Sequence, residues 1–366
     1  MATLTVGPGE QYSSIQAAVA ASKNGDVIEV KAGTYTNNFV TITDSITLEA
    51  VGGMVNMVET KPPTNLKGML TIGTSTSAPN VTINGFEISG VAIPAGDGGN
   101  GAGIRYQSGN LTLNDDWFQN SQDGLLATPF VAGTGNITIN DSEFGFNGSG
   151  TGQTHNIYVG MIDSLTVKNS YIHDAKVGME IQSRAENNTI EDNRIFDNNS
   201  TASYSISLPN GGDDIVSGNM IEKGLNSQNH TTMIAFMVAP GTGSPPNPSN
   251  AQGHWANSSL LVSDNTFVND LASSTHAVWN YQPTPAPTTL TDNSFWKINP
   301  ANEVLGPADI SGSMTLGTRP TLNMAHPWQE SGGSGAGVGM VGGPNPNGTP
   351  PTLITASGGG DGGTNG

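Results

Sequence analysis

Short apolar segments with polar interruptions recur along most of the chain. Eight of them read VTINGFEI, LTLNDDWF, ITINDSEF, LTVKNSYI, NTIEDNRI, DIVSGNMI, LLVSDNTF and TLTDNSF, and each ends on an isoleucine or a phenylalanine. These closing residues are Ile88, Phe118, Phe144, Ile172, Ile195, Ile221, Phe267 and Phe295. The intervals between them are 30, 26, 28, 23, 26, 46 and 28 residues. A self-similar period of this length indicates a repeat architecture.

The repeat length predicts the fold. The strands within each repeat are too short for crossover helices to connect them, and no helical periodicity intervenes, which excludes an alternating strand–helix fold. Propeller blades need longer repeats with four strands each. The period instead fits one coil of a right-handed parallel β-helix, with three short strands joined by turns. We therefore expect an all-β solenoid of roughly ten coils spanning about residues 26–325.

Stacking the coils leads to two further predictions. Asn193 would lie above Asn219, with Asn265 and Asn293 further along, so that their side-chain amides bond along a ladder through a buried turn. The one long interval contains residues 239–253, APGTGSPPNPSNAQG, whose composition is typical of a loop. We expect this segment to be an insertion between two coils.

Segments at both ends suit a solenoid, whose open ends would expose unpaired strand edges. Residues 13–25, SSIQAAVAASKNG, predict a short amphipathic capping helix that begins at Ser13 or Ser14 and stops at Gly25. We assign residues 1–325 to the β-helix domain and residues 326–366 to a glycine-rich tail or linker. Fourteen of the last 36 residues are glycine, which predicts that the chain from about residue 331 is mobile and dispensable.

Composition and charge limit the partners. The 366 residues include no cysteine, which excludes disulfides and thiolate zinc sites. The net charge of −18 argues against a nucleic-acid backbone and against an anionic membrane surface as partners. No apolar run is long enough to span a bilayer. The opening MATLTVGPGE shows no recognisable signal peptide.

Positive charge is rare in this chain and gathers in one stretch. Residues 151–186 hold two of the six histidines, one of the four arginines and two of the eight lysines. We align GIRYQSG, GLLATP, NIYVGMI, GMEIQSR and SYSISLP as equivalent strands, in which alternate side chains point outward. The outward column predicted by this alignment is Arg105, Leu126, Tyr158, Glu180 and Ser205. The same face would also carry Gln182 and Arg184, with His155 just before the strand of Tyr158.

These residue types suit β-elimination from an acidic polysaccharide. Removing the proton next to a carboxylate needs a base, an acid for the leaving oxygen and a group that neutralises the carboxylate. We predict His155, Tyr158 and Arg184 as catalytic residues. Tyr158 and His155 would be the base and the acid, and Arg184 would bind the carboxylate. The predicted substrate-binding residues are Arg105, Glu180, Gln182 and Ser205.

The same side chains also have a simpler interpretation. Outward polar residues are the default on a solenoid wall. Glu180 and Arg184 would then form a surface ion pair that contributes little to stability. Glycoside hydrolysis is disfavoured, because it needs two carboxylates about 5–9.5 Å apart and Glu180 has no carboxylate neighbour in the predicted column. The acidic pairs at 115–116 and 213–214 fall in turns rather than on a strand face. Calcium therefore has no support, and we expect no metal and no cofactor.

The opening TVGPGEQYSSIQAAVAASKNGDVIEVKAGTY resembles the capping helix and first coil of the pectin-lyase-like superfamily of right-handed parallel β-helix proteins. The resemblance covers roughly residues 3–325. It implies the fold and a set of polysaccharide-directed activities, since members include pectate and alginate lyases, polygalacturonases, pectin methylesterases, mannuronan epimerases and phage tailspikes. Many bacterial members share the local pattern HNIYVG, SYIHD, SRA and ASYSISLPNGG without a defined activity.

The resemblance favours a secreted protein that acts on an acidic polysaccharide as a lyase or an epimerase. The alternative that it leaves open is a noncatalytic surface, adhesive or glycan-binding module. Where similar proteins show EIKSRA and GHE, this chain has EIQSRA and GME, so that Gln182 and Met179 stand in place of a lysine and a histidine. Gln182 cannot act as a base and Met179 has no imidazole, so neither of these two positions can supply a base like that of the similar proteins.

Overall fold

The computed structural model describes residues 1–241, 246–248, 251–281 and 286–330. In this part the chain winds as a parallel β-helix whose coils stack strand on strand. The first strands are β1 (Thr3–Val6), β2 (Val27–Thr36), β3 (Val40–Ile42), β4 (Thr47–Val58) and β5 (Gly68–Ile72). The long strands β2 and β4 pair along both of their halves, and the two halves of β4 start two separate strand stacks.

Three stacks of parallel strands form the walls of the solenoid, and we call them faces 1, 2 and 3. After the shared strands β2 and β4, face 1 consists of β6 (Asn80–Asn84), β9 (Asn110–Asn114), β12 (Asn136–Asn140), β15 (Ser164–Lys168), β18 (Asn187–Glu191), β21 (Asp213–Ser217), β24 (Ser259–Ser263), β27 (Thr288–Thr291) and β30 (Asp309–Ser311). Face 2 consists of β7 (Phe86–Ser89), β10 (Trp117–Gln119), β13 (Glu143–Gly145), β16 (Tyr171–His173), β19 (Arg194–Phe196), β22 (Met220–Lys223), β25 (Thr266–Asn269), β28 (Ser294–Trp296) and β31 (Met314–Thr315).

Face 3 gives the number of coils. It consists of β3, β5, β8 (Ala102–Tyr106), β11 (Asp123–Ala127), β14 (Ile157–Val159), β17 (Ile181–Ser183), β20 (Ile206–Leu208), β23 (Thr232–Phe236), β26 (His276–Asn280) and β29 (Val304–Leu305). Within the described residues these are ten strands, in agreement with the roughly ten coils expected from the sequence. The described residues also contain the helices α1 (Ile15–Ala21) and α2 (Pro327–Glu330) and the 3₁₀ turns Ala95–Asp97 and Pro300–Asn302. None of these helices is long and apolar enough to cross a membrane.

The apolar residues that close each repeat form one column of the core on face 2. Each of the first seven pairs with the closing residue of the next coil, which confirms the alignment made from the sequence. Phe118 stacks on Phe144 with 4.6 Å between ring centroids, and Phe267 stacks on Phe295 at 5.4 Å. Burial of this column helps to hold successive coils together, because each large apolar side chain contributes about 1.5–3 kcal/mol.

A ladder of polar side chains runs through the turn between faces 1 and 2. Asn193, Asn219, Asn265 and Asn293 are buried, and each of the first three donates its backbone N–H to the side-chain oxygen of the next at 2.9 Å. Their side-chain amides bond along the same line at 2.9–3.0 Å. The predicted asparagine ladder is therefore confirmed. Towards the N-terminus its place is taken by Ser170, Ser142 and Asp116.

Helix α1 lies between the first two strands. Its N-cap is Ser14, whose hydroxyl accepts the N–H of Ala17 at 3.2 Å, as one of the two predicted positions allowed. The helix buries Ile15 and Ala18 and lies against β1, β2 and β3. That it caps the end of the core stays a prediction.

The chain turns back after the last coil and runs along face 2 towards the N-terminal coils. We call residues 317–330 the C-terminal strap. Arg319 forms an ion pair with Asp270 at 2.5 Å, the carbonyl of Asn323 accepts from Arg194 at 3.3 Å, and His326 contacts Glu143 at 2.6 Å. His326 belongs to the segment assigned from the sequence to the tail, yet it packs on the β-helix. Residues 331–366 lie outside the described residues, so the division of the chain into two parts stays a prediction.

The asparagine ladder gives a first testable prediction. Replacing Asn219 by alanine removes the acceptor for Asn193 and the donor for Asn265 inside a buried turn. Leaving buried polar groups without partners costs about 1–3 kcal/mol each, so we expect the free energy of unfolding in urea to fall by at least about 2 kcal/mol. Asn80→Ala is the matched control, because Asn80 makes a similar amide ladder bond with Asn110 on the exposed surface. It should cost no more than about 0.5 kcal/mol, and equal losses in both variants would contradict the assignment.

The strap gives a second prediction. A chain that ends at residue 316 lacks the contacts of Arg319, Asn323 and His326 with face 2, so its melting temperature should lie below that of the full chain. A chain that ends at residue 330 keeps them and should melt close to the full chain. The comparison is a thermal melt of the three proteins. If the two shortened chains melt together, the strap contributes nothing to the stability of the β-helix.

Candidate functional site

One outward column of side chains on face 3 contains the candidate site. Strand pairing places Arg105, Leu126, Tyr158, Gln182, Ser207, Ala235, Trp279 and Leu305 in register along the axis. Residues on either side of this column along each strand, such as Ile157 and Ile181, point into the core. The column therefore points away from the core of the solenoid. Within it, Leu126, Gln182, Ser207 and Ala235 are nevertheless buried.

The predicted register is wrong from β17 onward. Tyr158 lies opposite Gln182, whereas Glu180 and Ser205 each come one residue before their strands begin. Glu180 and Ser205 do neighbour each other, but the side chain of Glu180 lies against Asn156 and not against Tyr158. The alignment treated Gly178 as the start of the strand, although the loop before β17 continues to Glu180.

Glu180 is fully buried beneath this loop, where it stabilises the loop backbone. One carboxylate oxygen accepts the N–H of Ala175 at 2.9 Å and the other accepts from the amide of Asn156. Burial, with the nearby charge of Asp197, raises the pKa of Glu180 well above its usual value. Ser205 is also fully buried. Neither side chain reaches the surface, so the structure does not support their prediction as substrate-binding residues.

Tyr158 and Arg184 do come together, as predicted. Arg184 Nε donates to the phenolic oxygen of Tyr158 at 3.1 Å, and its guanidinium carbon lies 6.0 Å from the ring centroid. Nη1 of the same arginine donates to Oδ1 of Asn210 at 2.6 Å. Both Tyr158 and Arg184 are half-buried. A guanidinium held at two points is a fixed positive charge beside a phenol.

A small cleft opens beside this pair. It has a volume of about 160 Å³ and is lined by Ala127, Thr128, Pro129, Ala132, Tyr158, Gly160, Met161, Arg184, Pro248 and Ala251. Two of these residues come from the insertion between β23 and β24, which the sequence predicted as a loop. The insertion is tied to the site, because Trp255 donates its indole N–H to the carbonyl of Arg184 at 3.1 Å. It therefore supplies one wall of the cleft.

His155 lies behind Tyr158 and is almost fully buried. Its Nδ1 accepts the N–H of Met179 at 3.0 Å, which places the ring proton on Nε2, and its ring stacks on Tyr158 with centroids 5.5 Å apart. Burial, helped by the charge of Arg184, lowers the pKa of His155 to about 4. The imidazole is thus neutral near pH 7, and its position suits orientation of the Tyr158 ring.

Arg105 and Gln182 flank the pair along the column. Arg105 Nε donates to the hydroxyl of Thr128 at 3.1 Å. Burial lowers the pKa of Arg105, while the charge of Asp123 acts in the opposite direction. Burial also raises the pKa of Asp123 to about 7, against the hydrogen bond from the backbone of His155. Gln182 is only 7% exposed and lies directly beside Tyr158.

A second cluster, which the sequence did not predict as a site, lies on face 2. Glu143 is buried between His173 Nε2 at 3.3 Å and His326 Nδ1 at 2.6 Å, and His173 Nδ1 also contacts Asp174 at 2.8 Å. The repeat alignment contained part of the signal, since Glu143 and Trp117 precede successive closing residues. His326, which completes the cluster, comes from the strap.

Metal binding has no structural support in the residues that the structure describes. They contain no group of three or more histidine, aspartate or glutamate side chains placed to hold an ion. Asp116 instead belongs to the buried ladder, and Asp214 accepts the side-chain amide of Asn188 at 2.7 Å.

Comparison with solved structures identifies the fold. No family model and no curated protein matches the sequence. The structure is similar to that of pectate lyase Pel9A, with a TM-score of 0.56 and 13% identity over 86% of this chain and 78% of that chain. The chain shares the parallel β-helix fold of that enzyme. Such low identity shows the fold alone, because this fold carries many unrelated activities.

Two other solved structures share less of the geometry. An alginate lyase from Paenibacillus sp. str. FPU-7 gives a TM-score of 0.47 at 13% identity, covering 87% of this chain and 96% of that chain. The A-module of the Azotobacter vinelandii mannuronan C-5 epimerase AlgE6 gives 0.45 at 15% identity, covering 83% and 94%.

The face 2 cluster predicts a pH dependence of stability. Burial alone would lower the pKa of His173, but its contacts with Asp174 and Glu143 outweigh burial and raise the pKa to about 9. An unfolded histidine titrates near 6.5, so the folded state holds a proton that the unfolded state releases between about pH 6.5 and 9. The contribution of this proton to the free energy of unfolding is complete below about pH 6.5 and is lost as the pH rises through 9. Its size is on the order of 3 kcal/mol.

The measurement is the free energy of unfolding from pH 6 to pH 10 for the unmodified chain and for His173→Gln. We expect the variant to be less stable at pH 6 and the difference to shrink as the pH rises. His230→Gln is the control, because the ring of His230 contacts Ser227 and Ser273 rather than a carboxylate. A difference between the unmodified chain and His173→Gln that does not change with pH would show that His173 is uncharged in the folded protein.

Proposed function

We propose that the protein is a secreted carbohydrate-active β-helix protein that acts on an acidic polysaccharide, as a lyase or an epimerase. The observation that carries the proposal is the 3.1 Å hydrogen bond from Arg184 to the phenolic oxygen of Tyr158 beside the cleft on face 3. Both reactions begin with removal of a proton next to a carboxylate. Such a step needs a proton acceptor beside a fixed positive charge, and this pair offers both.

Tyr158 is the proposed proton-transfer group. Its phenolate oxygen would take the proton from the carbon next to the sugar carboxylate. The electron pair left behind would form a carbon–carbon double bond as the bond to the glycosidic oxygen breaks, and the phenol would return the proton to that oxygen. In epimerisation the glycosidic bond stays intact, a water molecule on the opposite face would give a proton to the carbon, and the phenol would release its proton to solvent.

Arg184 and Arg105 would bind the acidic groups of the polysaccharide. Arg184 lies beside Tyr158. Arg105 lies in the same column as Tyr158, two coils and about 10 Å from it. Their spacing suits carboxylates on neighbouring parts of one chain, because a guanidinium fork matches a carboxylate. Gln182 adds an amide next to Tyr158. His155 holds the Tyr158 ring in place.

A noncatalytic glycan-binding module is the second candidate, and two contacts favour it. Nδ1 of His155 is already engaged by the backbone of Met179, and Nη1 of Arg184 is engaged by Asn210. These groups are held in place by the protein itself, which serves recognition without proton transfer. In that case the cleft would bind acidic glycans and release them unchanged.

Tyr158→Phe separates the two candidates. We expect it to lose turnover of the substrate by at least about 100-fold, the size of a general acid–base contribution, while the melting temperature stays the same. The assay is incubation with alginate, pectate, gellan and glycosaminoglycans, followed by the ultraviolet absorbance of the unsaturated uronate and by analysis of the uronate stereochemistry. Tyr12→Phe is the control, because Tyr12 lies before helix α1 and is not among the residues that line the cleft.

The outcomes differ for each candidate. Turnover that depends on Tyr158 supports the lyase or the epimerase according to the product. Binding without turnover, weakened by Arg184→Ala, supports the binding module. If the protein neither binds nor turns over any of the acidic glycans, the proposed function is contradicted.

A further inference from the structure

A lysine and an aspartate are buried together at the corner between faces 2 and 3. Phe196 pairs with Glu222 on face 2. The next residue is Asp197 in one coil and Lys223 in the other, so these two lie opposite each other. Nζ of Lys223 lies 3.1 Å from Oδ2 of Asp197, and both side chains are fully buried. Lysine and aspartate are almost never fully buried unless they are paired, because a charge loses its hydration there.

This ion pair leaves one carboxylate oxygen without a partner. Oδ2 of Asp197 accepts the hydroxyl of Ser227 at 2.5 Å in addition to its contact with Lys223. Oδ1 of Asp197 is equally buried and has no hydrogen-bond partner among the residues that the structure describes. An unpaired buried carboxylate oxygen is unfavourable, and native proteins rarely keep one. An ion pair alone therefore does not account for the arrangement of this corner.

The nitrogen of Lys223 is held next to the carboxylate by the backbone. Its Nζ donates to the carbonyl of Ser203, which restricts the position of the nitrogen beside Asp197. Two reacting groups fixed about 3–3.5 Å apart combine much faster than the same groups free in solution. The corner also excludes water, which protects a bond formed there from hydrolysis.

We propose that Lys223 and Asp197 join through an amide bond between their side chains. The ammonium first gives one proton to Oδ1 of Asp197, and the lone pair of the uncharged Nζ then attacks Cγ. The C–N bond forms and the C–Oδ1 bond breaks. Oδ1 leaves as water with that proton and a second one that comes from the nitrogen. Oδ2 remains as the amide oxygen bonded to Ser227, and the step balances without any other reactant.

Glu180 is the group that transfers the second proton. Its side chain is fully buried, and its backbone N–H bonds the carbonyl of Tyr204, the residue after Ser203. Burial raises the pKa of Glu180 well above its usual value, and the charge of Asp197 adds to this effect. A carboxyl group that keeps its proton near pH 7 can give it to the leaving oxygen and take one from the nitrogen.

The bond links two neighbouring coils of a chain that has no cysteine. It closes a loop between residues 197 and 223, which restricts the unfolded chain as a disulfide does. The inference is independent of the proposed function, because neither Lys223 nor Asp197 lines the cleft beside Tyr158.

The first measurement uses the full chain without any substitution. Its intact mass under denaturing conditions should be the calculated mass less one water molecule. Chymotrypsin cuts after Tyr204, between the two residues, and the fragments that carry Asp197 and Lys223 should stay linked. Trypsin should fail to cut after Lys223 and should cut after Lys168, whose ion pair with Glu191 is exposed to solvent. The full calculated mass, with normal cleavage after Lys223, would overturn the proposal.

A substitution identifies the source of the lost water. Lys223→Met removes the reacting nitrogen, so we expect this variant to have its full calculated mass and a lower melting temperature. Lys168→Met is the matched control and should keep the loss of water. A loss of water that persists in Lys223→Met comes from another place, such as ring closure at Asp97 or Asp123, which precede glycines, and the proposal would then be wrong.

The role of Glu180 has its own test. Glu180→Gln preserves the size of the side chain but cannot transfer the proton. The intact mass is followed over time after a short pulse of cell-free synthesis, and we expect the bond to form at least about 100-fold more slowly than in the unmodified chain. If the variant forms the bond equally fast, Glu180 does not transfer the proton, and that part of the proposal is wrong although the bond stands.

Discussion

The hydrogen bonding of each coil to the next determines where every other feature of this protein lies. A parallel stack repeats its register from coil to coil, so a side chain that points outward in one coil has a neighbour about 4.8 Å away in the next. The buried ladder through Asn193, Asn219, Asn265 and Asn293 enforces that register, because a shift of one residue would leave its amides without partners. Columns such as the one through Tyr158 and the aromatic stack in the core are consequences of this constraint.

Faces 1 and 2 could be predicted well from the sequence, because the turn between them is short and has a constant length. The asparagine ladder lies in that turn and the closing residues follow it on face 2, and both were aligned correctly. The loops between faces 2 and 3 vary in length, and no side-chain pattern marks where they end. This is why Arg105, Leu126 and Tyr158 were placed in the right column, while Glu180 and Ser205 were assigned positions that belong to Gln182 and Ser207, two residues further along the chain.

Contacts between distant parts of the sequence could not be predicted at all. Glu143 and His326 are 183 residues apart and meet only because the strap returns along face 2. The same holds for Trp255, which reaches the carbonyl of Arg184 from the insertion over 71 residues. The repeat specifies the pairing of neighbouring coils, whereas these two segments lie outside the repeat, and their positions depend on the completed surface.

The positive charge gathered in residues 151–186 serves two different surfaces. His173 points out of face 2, where it is buried and its contacts with Glu143 and Asp174 hold it in an ionic network. Arg184 follows face 3, where it borders an open cleft and contacts a phenol and an amide instead of a carboxylate. A cation whose protein partners are neutral retains its attraction for an external anion, whereas one already paired with two carboxylates does not. The partners of each cation, more than its presence in the cluster, therefore distinguish the stabilising side of this β-helix from the side suited to an acidic ligand.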